Sequence, residues 1–162
     1  MPERKRSATV PFRRRAQVRK SSRPAIDLGA LNGHLGYFVR RLQVWVFQDF
    51  IRALSSLDIS PAQFSVLVVI SANVGLSQSE LAEKLDIERA RLVRLLHNLG
   101  RRGLTQRLQS SADRRTHALR LTAKGQKILT RAKTLAAQHE ARLVERLGAS
   151  RHQMMMNSLR DF

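Results

Sequence analysis

The chain has no cysteine among its 162 residues. This absence excludes disulfides, thiolate zinc sites, iron–sulfur clusters and thiol redox sensing. Acidic residues are scarce as well: 12 Asp and Glu face 30 Lys and Arg, which gives a formal net charge of +18 at pH 7. A charge of this sign and size indicates a polyanionic partner, either a nucleic acid or an anionic membrane surface. The apolar fraction of 43% is still enough for a hydrophobic core.

Long apolar runs are also missing. The longest stretch without a charge is Ile59–Ser79, and its unbroken apolar part is only Val66–Ile70. Because a membrane span needs about 20 mostly apolar residues, we expect no membrane partner and a cytoplasmic protein. No nucleophile elbow, P-loop, dinucleotide fingerprint or carboxylate pair is present, so we expect neither catalytic residues nor an enzyme. The five histidines lack metal-ligand spacing, and we expect no metal site and no cofactor.

The positive charge is concentrated in part at the start of the chain. Residues 1–24 contain nine basic residues and one acidic residue, without a helical apolar period. This composition predicts a disordered basic arm. The arm either contacts a nucleic-acid backbone or is a solvated leader without a specific role.

Residues 25–162 are predicted to be mainly helical. A first long helix over about 27–57 is apolar on two sides, which indicates burial against a second copy of the chain. Capping boxes at Ser60–Gln63 and Ser77–Glu80 begin two shorter helices. A further helix runs from Arg89 to about Arg102 and ends at Gly103.

This last helix has two different faces. One face is apolar and holds Leu92, Val93, Leu95, Leu96 and Leu99. The other is basic and is centred on Arg94. A short helix, a turn and a basic second helix form a helix-turn-helix, whose second helix enters the major groove of DNA.

Two alternating runs, 104–109 and 116–121, then predict a β-hairpin with a charged tip. The predicted fold class is therefore mainly α with a small β-wing. A winged helix-turn-helix lobe occupies about 60–122. Helical segments over about 27–57 and 123–162 flank this lobe, and Thr122 caps the long helix that begins at Ala123.

Residues 76–125 resemble the MarR family of bacterial transcription regulators. The wing pattern D-x-R followed by L-T is present as Asp113-Arg114-Arg115 and Leu121-Thr122. The resemblance covers about 27–162 and implies a homodimer whose dimerisation helices are those at about 27–57 and 123–162. Each winged helix-turn-helix then reads one half of a two-fold symmetric double-stranded DNA operator. It also implies ligand-controlled repression. Glu88 departs from the family pattern, in which a Ser cap is common.

Candidate DNA contacts follow from the helix-turn-helix and the wing. Arg115 is expected to enter the minor groove, with Asp113 holding it in position. Arginines of the second helix are expected to contact guanine edges or phosphates. The full set is Ser77, Gln78, Ser79, Arg89, Arg91, Arg94, Asp113, Arg114 and Arg115.

The first helix is similar to that of repressors of hydroxycinnamate and related aromatic-acid catabolism. In that branch the inducer is an aromatic carboxylate or an aromatic acyl-CoA, which needs an apolar slot and cations for its phosphates. The candidate ligand residues are His34, Tyr37, Phe38, Arg40, Arg41 and Trp45. Alternatively, these aromatic residues are plain core and interface. A separate alternative for the whole chain, which the basic arm alone would fit, is a basic architectural nucleic-acid-binding protein without ligand control.

Overall fold

The computed structural model of the chain is described for residues 26–73, 75–109 and 117–160. The predicted arm at 1–24 and the hairpin tip with Asp113, Arg114 and Arg115 lie outside these residues, so both remain predictions. The residues up to His34 and those from Leu35 onward belong to two separate units. Each unit is described by itself.

The first unit contains a 3₁₀ turn at Gly29–Gly33 rather than an α-helix. The Asp27 carboxylate accepts a hydrogen bond of 3.0 Å from the Gly29 backbone N–H. Gly29 has a φ of +55°, in the left-handed region, which an α-helix cannot accommodate. The predicted helical start near residue 27 is therefore wrong, because the long helix begins only at Leu35.

The second unit is mainly helical with one small antiparallel sheet, and this confirms the predicted fold class. The elements in chain order are α1 Leu35–Leu54, α2 Pro61–Ala72, α3 Gln78–Lys84, α4 Arg89–Arg101, β1 Thr105–Gln109, β2 His117–Leu121, α5 Ala123–Leu147 and α6 Ala149–Arg160. A short 3₁₀ turn at Ser55–Leu57 follows α1.

Local capping residues set the helix boundaries, as the sequence predicts. Ser60 and Gln63 form a reciprocal capping box at the start of α2. The Thr122 hydroxyl accepts a hydrogen bond of 2.9 Å from Gly125 N–H at the start of α5. Gly103 follows α4 with a φ of +66° and ends that helix. These confirmed caps show that the boundaries of these elements are encoded locally.

A leucine-rich core joins α1 to the helix-turn-helix, the hairpin and α5. It is continuous from the end of α1 to the first half of α5. The large side chains with less than 2% exposure are Leu54, Leu67, Leu81, Leu92, Leu99, Leu104, Leu119, Leu129 and Val66. Both parts of the predicted architecture therefore share one core.

An ionic cluster ties α1 to α5. The His139 Nδ1–H donates a hydrogen bond of 2.8 Å to the Asp49 carboxylate, and Arg142 donates to the same oxygen at 2.9 Å. His139 is buried, and its ring stacks on Phe50 with 5.0 Å between the centroids. These hydrogen bonds, above all that from His139, lower the pKa of Asp49 from 3.8 to about 2.

Apolar side chains remain exposed on α1 and α6, and we call this set the apolar stripe. On α1 it comprises Leu35, Phe38, Val39, Val44, Phe47 and Ile51, and on α6 it comprises Met154, Met156 and Leu159. At 3.6 residues per turn, the first three of the α1 residues lie roughly opposite the last three. The two-sided apolar pattern predicted for the first helix thus leaves apolar surface exposed on both sides of α1 in a single chain.

Gly125 permits an unusually close contact between α5 and the start of β1. A Cβ atom at this position would lie 1.9 Å from the Leu104 carbonyl oxygen. Gly125→Ala should therefore destabilise the fold by about 3 kcal/mol in urea unfolding, since backbone must move to make room. Gly100→Ala is the matched control: its Cβ meets only Thr105 O at 4.0 Å, and it should stabilise α4 by about 0.5–1 kcal/mol. Equal stabilities for the two variants would contradict this account.

Asp49 should make stability depend on pH in the acid range. Its folded-state pKa is depressed, so the ionised carboxylate stabilises the fold above about pH 4, and this contribution is lost as the pH falls toward 2. Asp49→Asn should lower the free energy of unfolding at pH 7 by about 1–3 kcal/mol. The variant should also lose less unfolding free energy than wild type when the pH falls from 4 to 2. The control is Asp86→Asn, at an exposed left-handed position that asparagine also tolerates. If Asp49→Asn loses as much unfolding free energy between pH 4 and 2 as wild type does, Asp49 is not the cause of the pH dependence.

Candidate nucleic-acid interface

Helices α3 and α4 form the predicted helix-turn-helix. Asp86 adopts a φ of +48° in the turn between them, and Ile87 N–H donates a hydrogen bond of 3.0 Å to Ala82 O. Leu81 of α3 and Leu92 of α4 are both buried in the shared core. The turn and the core together fix α4 against α3, so that the remaining face of α4 projects from the lobe.

The outer face of α4 is cationic. Arg89, Arg91 and Arg94 are all exposed, whereas Leu92, Leu96 and Leu99 are at most 3% exposed. Within the described residues the ion pairs to acidic side chains include none of these three arginines. Their charge is therefore directed toward solvent, as a phosphate-contacting helix requires.

Val93 departs from the predicted apolar face of α4. The sequence pattern places it with the core leucines, but its side chain is 48% exposed. The prediction is wrong because the buried strip of α4 is narrower than the apolar pattern of its sequence. Leu92 and Leu96, one turn apart, lie in this strip, and Val93 lies beside it. Glu88, at the start of the same helix, makes no side-chain capping hydrogen bond, as its departure from a Ser cap predicts.

The three candidates at the start of α3 have different surroundings. The Ser77 hydroxyl accepts from Glu80 N–H at 3.3 Å, and the Glu80 carboxylate accepts from Ser77 N–H at 2.8 Å. Hydrogen bonding with Ser77 holds the pKa of Glu80 below its ordinary value. Gln78 is half-buried and Ser79 is exposed. Ser77 thus acts as a helix cap, and Ser79 is the more accessible hydroxyl for a phosphate.

The β-hairpin is held beside the helix-turn-helix. β1 and β2 pair with Thr105 opposite Leu121 and Leu108 opposite Ala118. Leu119 of β2 is buried, and its N–H donates a hydrogen bond of 2.9 Å to Leu76 O, just before α3. The base of the wing is therefore attached on the side of the lobe where α3 begins.

Arg102 is a positioning residue that sequence reasoning missed. Its guanidinium donates hydrogen bonds to the carbonyl oxygens of Leu57, at 2.9 Å, and of Asp58. The Lys124 Nζ donates at 2.9 Å to the Arg102 carbonyl oxygen. The end of α4 is thus tied both to the turn after α1 and to the start of α5. Nothing in the local pattern distinguishes Arg102 from exposed Arg101, because the carbonyl partners lie more than 40 residues away.

Within α1 the candidate ligand residues make two separate local contacts. Tyr37 and Phe38 lie edge to face at 5.4 Å, and the Arg41 guanidinium lies 5.6 Å from the Tyr37 ring centroid. The Arg146 guanidinium covers Trp45 at 4.4 Å. Arg40 is exposed on the same helix. In the first unit, His34 is also exposed.

Comparisons with known proteins agree with this geometry. A family model described as MarR matches residues 59–117. The solved structure of the transcriptional repressor CouR bound to a 23-mer DNA duplex is 42% identical, covers 85% of this chain and 98% of that chain, and has a TM-score of 0.82. The chain belongs to the MarR family. CouR bound to p-coumaroyl-CoA is 41% identical over 83% of this chain and 94% of that chain, with a TM-score of 0.76.

A curated MarR-family relative comes from Thauera aromatica. It is a candidate transcriptional regulatory protein for the hcr operon, 36% identical over 104 residues. The match covers 64% of this chain and 63% of the length of that protein. These relatives are transcriptional regulators, and they confirm the predicted family and the expectation of a regulator rather than an enzyme.

No single helix in the described ranges is long and apolar enough to cross a membrane. One bent pair, Leu35–Leu57 with Pro61–Ala72 at 71°, meets the criteria of length and composition alone.

Arg102→Ala should destabilise the fold by about 1–3 kcal/mol, because two backbone carbonyls lose a charged donor. Arg102→Lys should recover little of this loss, since one ammonium group does not reproduce the planar fork that reaches both oxygens. Urea unfolding of both variants provides the measurement. Arg101→Ala is the matched control, being an exposed neighbour in the last turn of α4, and should change stability by less than about 0.5 kcal/mol. Similar losses at both positions would refute the positioning role.

Proposed function

We propose that this protein is a sequence-specific DNA-binding repressor that an aromatic acyl-CoA releases from its operator. The observation that carries the proposal is the exposed cationic face of α4 in a helix-turn-helix whose fold matches a repressor solved on DNA. Arg91 and Arg94 would contact base edges or phosphates in the major groove, while Arg89 and Ser79 approach the backbone. We expect such a regulator to act in the bacterial cytoplasm.

The hairpin tip and the basic arm would complete the contact with DNA. The D-x-R pattern supports minor-groove insertion of Arg115, steadied by Asp113, with Arg114 near the backbone. The nine basic residues of 1–24 would neutralise phosphates without reading bases. In this scheme the tip and the arm add affinity, and α4 supplies most of the base recognition.

A second copy of the chain would cover the apolar stripe. Six large apolar side chains are exposed along α1 and three along α6, and exposed apolar surface of this kind supports an interface with another protein chain. Pairing two copies through this surface places two helix-turn-helix lobes for a two-fold symmetric operator. The bound DNA site should accordingly contain two related half-sites.

The effector proposal depends on the relative solved with p-coumaroyl-CoA and on the composition of α1. Tyr37, Phe38 and Trp45 offer aromatic surface for the acyl group, and Arg40 and Arg41 offer charge for the CoA phosphates. Since Tyr37 and Phe38 contact each other while Trp45 is covered by Arg146, a pocket joining them would be completed by rearrangement or by the second copy. His34 would lie at its edge.

One alternative is an architectural nucleic-acid-binding protein without ligand control. The net charge of +18 and the basic arm favour it, because both promote binding to any sequence. The two functions give different footprints. A repressor protects one short two-fold site, whereas an architectural protein coats DNA with little regard for sequence.

Arg94→Ala should weaken binding to the footprinted site by about 1–3 kcal/mol, because a groove-facing guanidinium is lost. Fluorescence anisotropy with a labelled duplex measures the change, and sedimentation checks that dimerisation is retained. Arg131→Ala changes an exposed arginine of α5, which is not part of the helix-turn-helix or the hairpin; it is the control and should bind almost as tightly as wild type. Wild-type affinity in Arg94→Ala would exclude α4 from the groove.

p-Coumaroyl-CoA should release the DNA and change the fluorescence of Trp45, the single tryptophan of the chain. Both changes should saturate at the same ligand concentration if one binding event causes them. CoA alone is the control and should be much weaker, since it lacks the aromatic acyl group. Retained DNA together with unchanged fluorescence at high ligand would contradict the effector proposal and leave the DNA-binding proposal intact.

A further inference from the structure

Val93 is the exposed large apolar residue of α4. Its isopropyl group is 48% exposed, although Leu92, Leu96 and Leu99 on the same helix are essentially buried. A β-branched residue on an open helix face contributes neither to the core nor to helix propensity. A single exposed apolar residue is ordinary on a protein surface, but at this position a contact with a partner would also explain it.

Dimerisation does not supply that explanation. The apolar stripe lies on α1 and α6, whereas Val93 lies in the helix-turn-helix. It lines a groove of about 160 Å³ with Gln78 and Ser79 at the start of α3, and with Arg89. Its neighbours are thus polar and cationic side chains of the nucleic-acid interface.

Position along the helix adds a second argument. Arg89 and Val93 are four residues apart, so they lie one above the other on α4. Val93 therefore lies beside Arg89 and the start of α3, both of which approach DNA when the proposed function holds.

We propose that Val93 contacts the C5-methyl group of a thymine in the major groove and selects thymine at one position of each half-site. This inference rests on the proposed function. The thymine methyl is the apolar feature that base edges display in the major groove, and apolar side chains recognise it by contact. An isopropyl group can make no hydrogen bond, so it favours thymine over cytosine or adenine by shape and desolvation. The exposed arginines of α4 would contribute charge and hydrogen bonds around it.

The test removes the thymine methyl group from the DNA and the Val93 isopropyl group from the protein, each change alone and both together. The probe is the duplex that the full-length protein enriches from a random-sequence pool, with each thymine replaced in turn by deoxyuridine in both half-sites. For wild type, one such replacement should weaken binding about three- to tenfold, the effect of uncovering one or two methyl groups. Val93→Ala should bind the thymine and uracil duplexes with equal affinity. The cycle formed by the two changes isolates their interaction.

Leu108→Ala is the matched control, because it truncates another exposed apolar side chain of the lobe on β1 instead of α4. It should keep the wild-type preference for thymine over uracil. Unchanged thermal midpoints should show that both variants fold. The inference is overturned alone if a site is enriched but no thymine shows a methyl effect, or if Val93→Ala keeps the wild-type preference. Failure to enrich any sequence would overturn the proposed function together with the inference.

Discussion

The close approach of the Leu104 backbone to α5 is the constraint on which the other contacts of the lobe depend. The Leu104 carbonyl accepts a hydrogen bond of 3.1 Å from Thr122 N–H, and the Leu104 N–H donates to Leu99 O at 2.9 Å. The Thr122 hydroxyl also donates to Gly103 O at 2.6 Å. One residue thereby connects the end of α4, the start of the hairpin and the start of α5. The Leu104 backbone can lie this close to α5 only because Gly125 has no Cβ atom.

These contacts of Leu104 explain how the lobe holds α4 and the hairpin, which are proposed to face DNA, in fixed positions. Arg102 extends these contacts toward the turn after α1, and the Asp49–His139 cluster then ties α1 to α5 further along. Together these backbone and side-chain hydrogen bonds connect α1, α4, the start of the hairpin and α5 around one leucine core. Neither α4 nor the hairpin can shift far without disturbing α5. The exposed arginines of α4 are thus presented from a preorganised surface, which reduces the entropic cost of binding.

Much of this arrangement is readable from the sequence, because its determinants are local. Ser60, Ser77, Thr122 and Gly103 act on residues within one helical turn, so their patterns predict real boundaries. The family resemblance and the fold follow from the same segment. The start of α1 is missed because apolar spacing continues before Leu35 while glycine backbone geometry does not permit a helix there.

The candidate site is less predictable because it depends on tertiary contacts. The periodicity of α4 assigns Val93 to the core. Val93 is nevertheless exposed, because the elements packed against α4 cover only the narrower strip that holds Leu92, Leu96 and Leu99. Likewise, Arg102 owes its role to carbonyl groups of residues 57 and 58, and no pattern near it in the chain encodes that distance. The charged face of α4 is the exception, because it follows from helix period and composition alone.

The apolar stripe and the cationic face of α4 lie on different elements, and this separation has a genetic consequence. If the apolar stripe pairs two copies as proposed, a variant that loses α4 contacts but keeps α1 and α6 would still pair with a normal chain. Each mixed pair would then hold only one functional lobe for a two-part operator. Such an allele would be dominant over wild type when both are expressed, whereas a change that prevents pairing would be recessive.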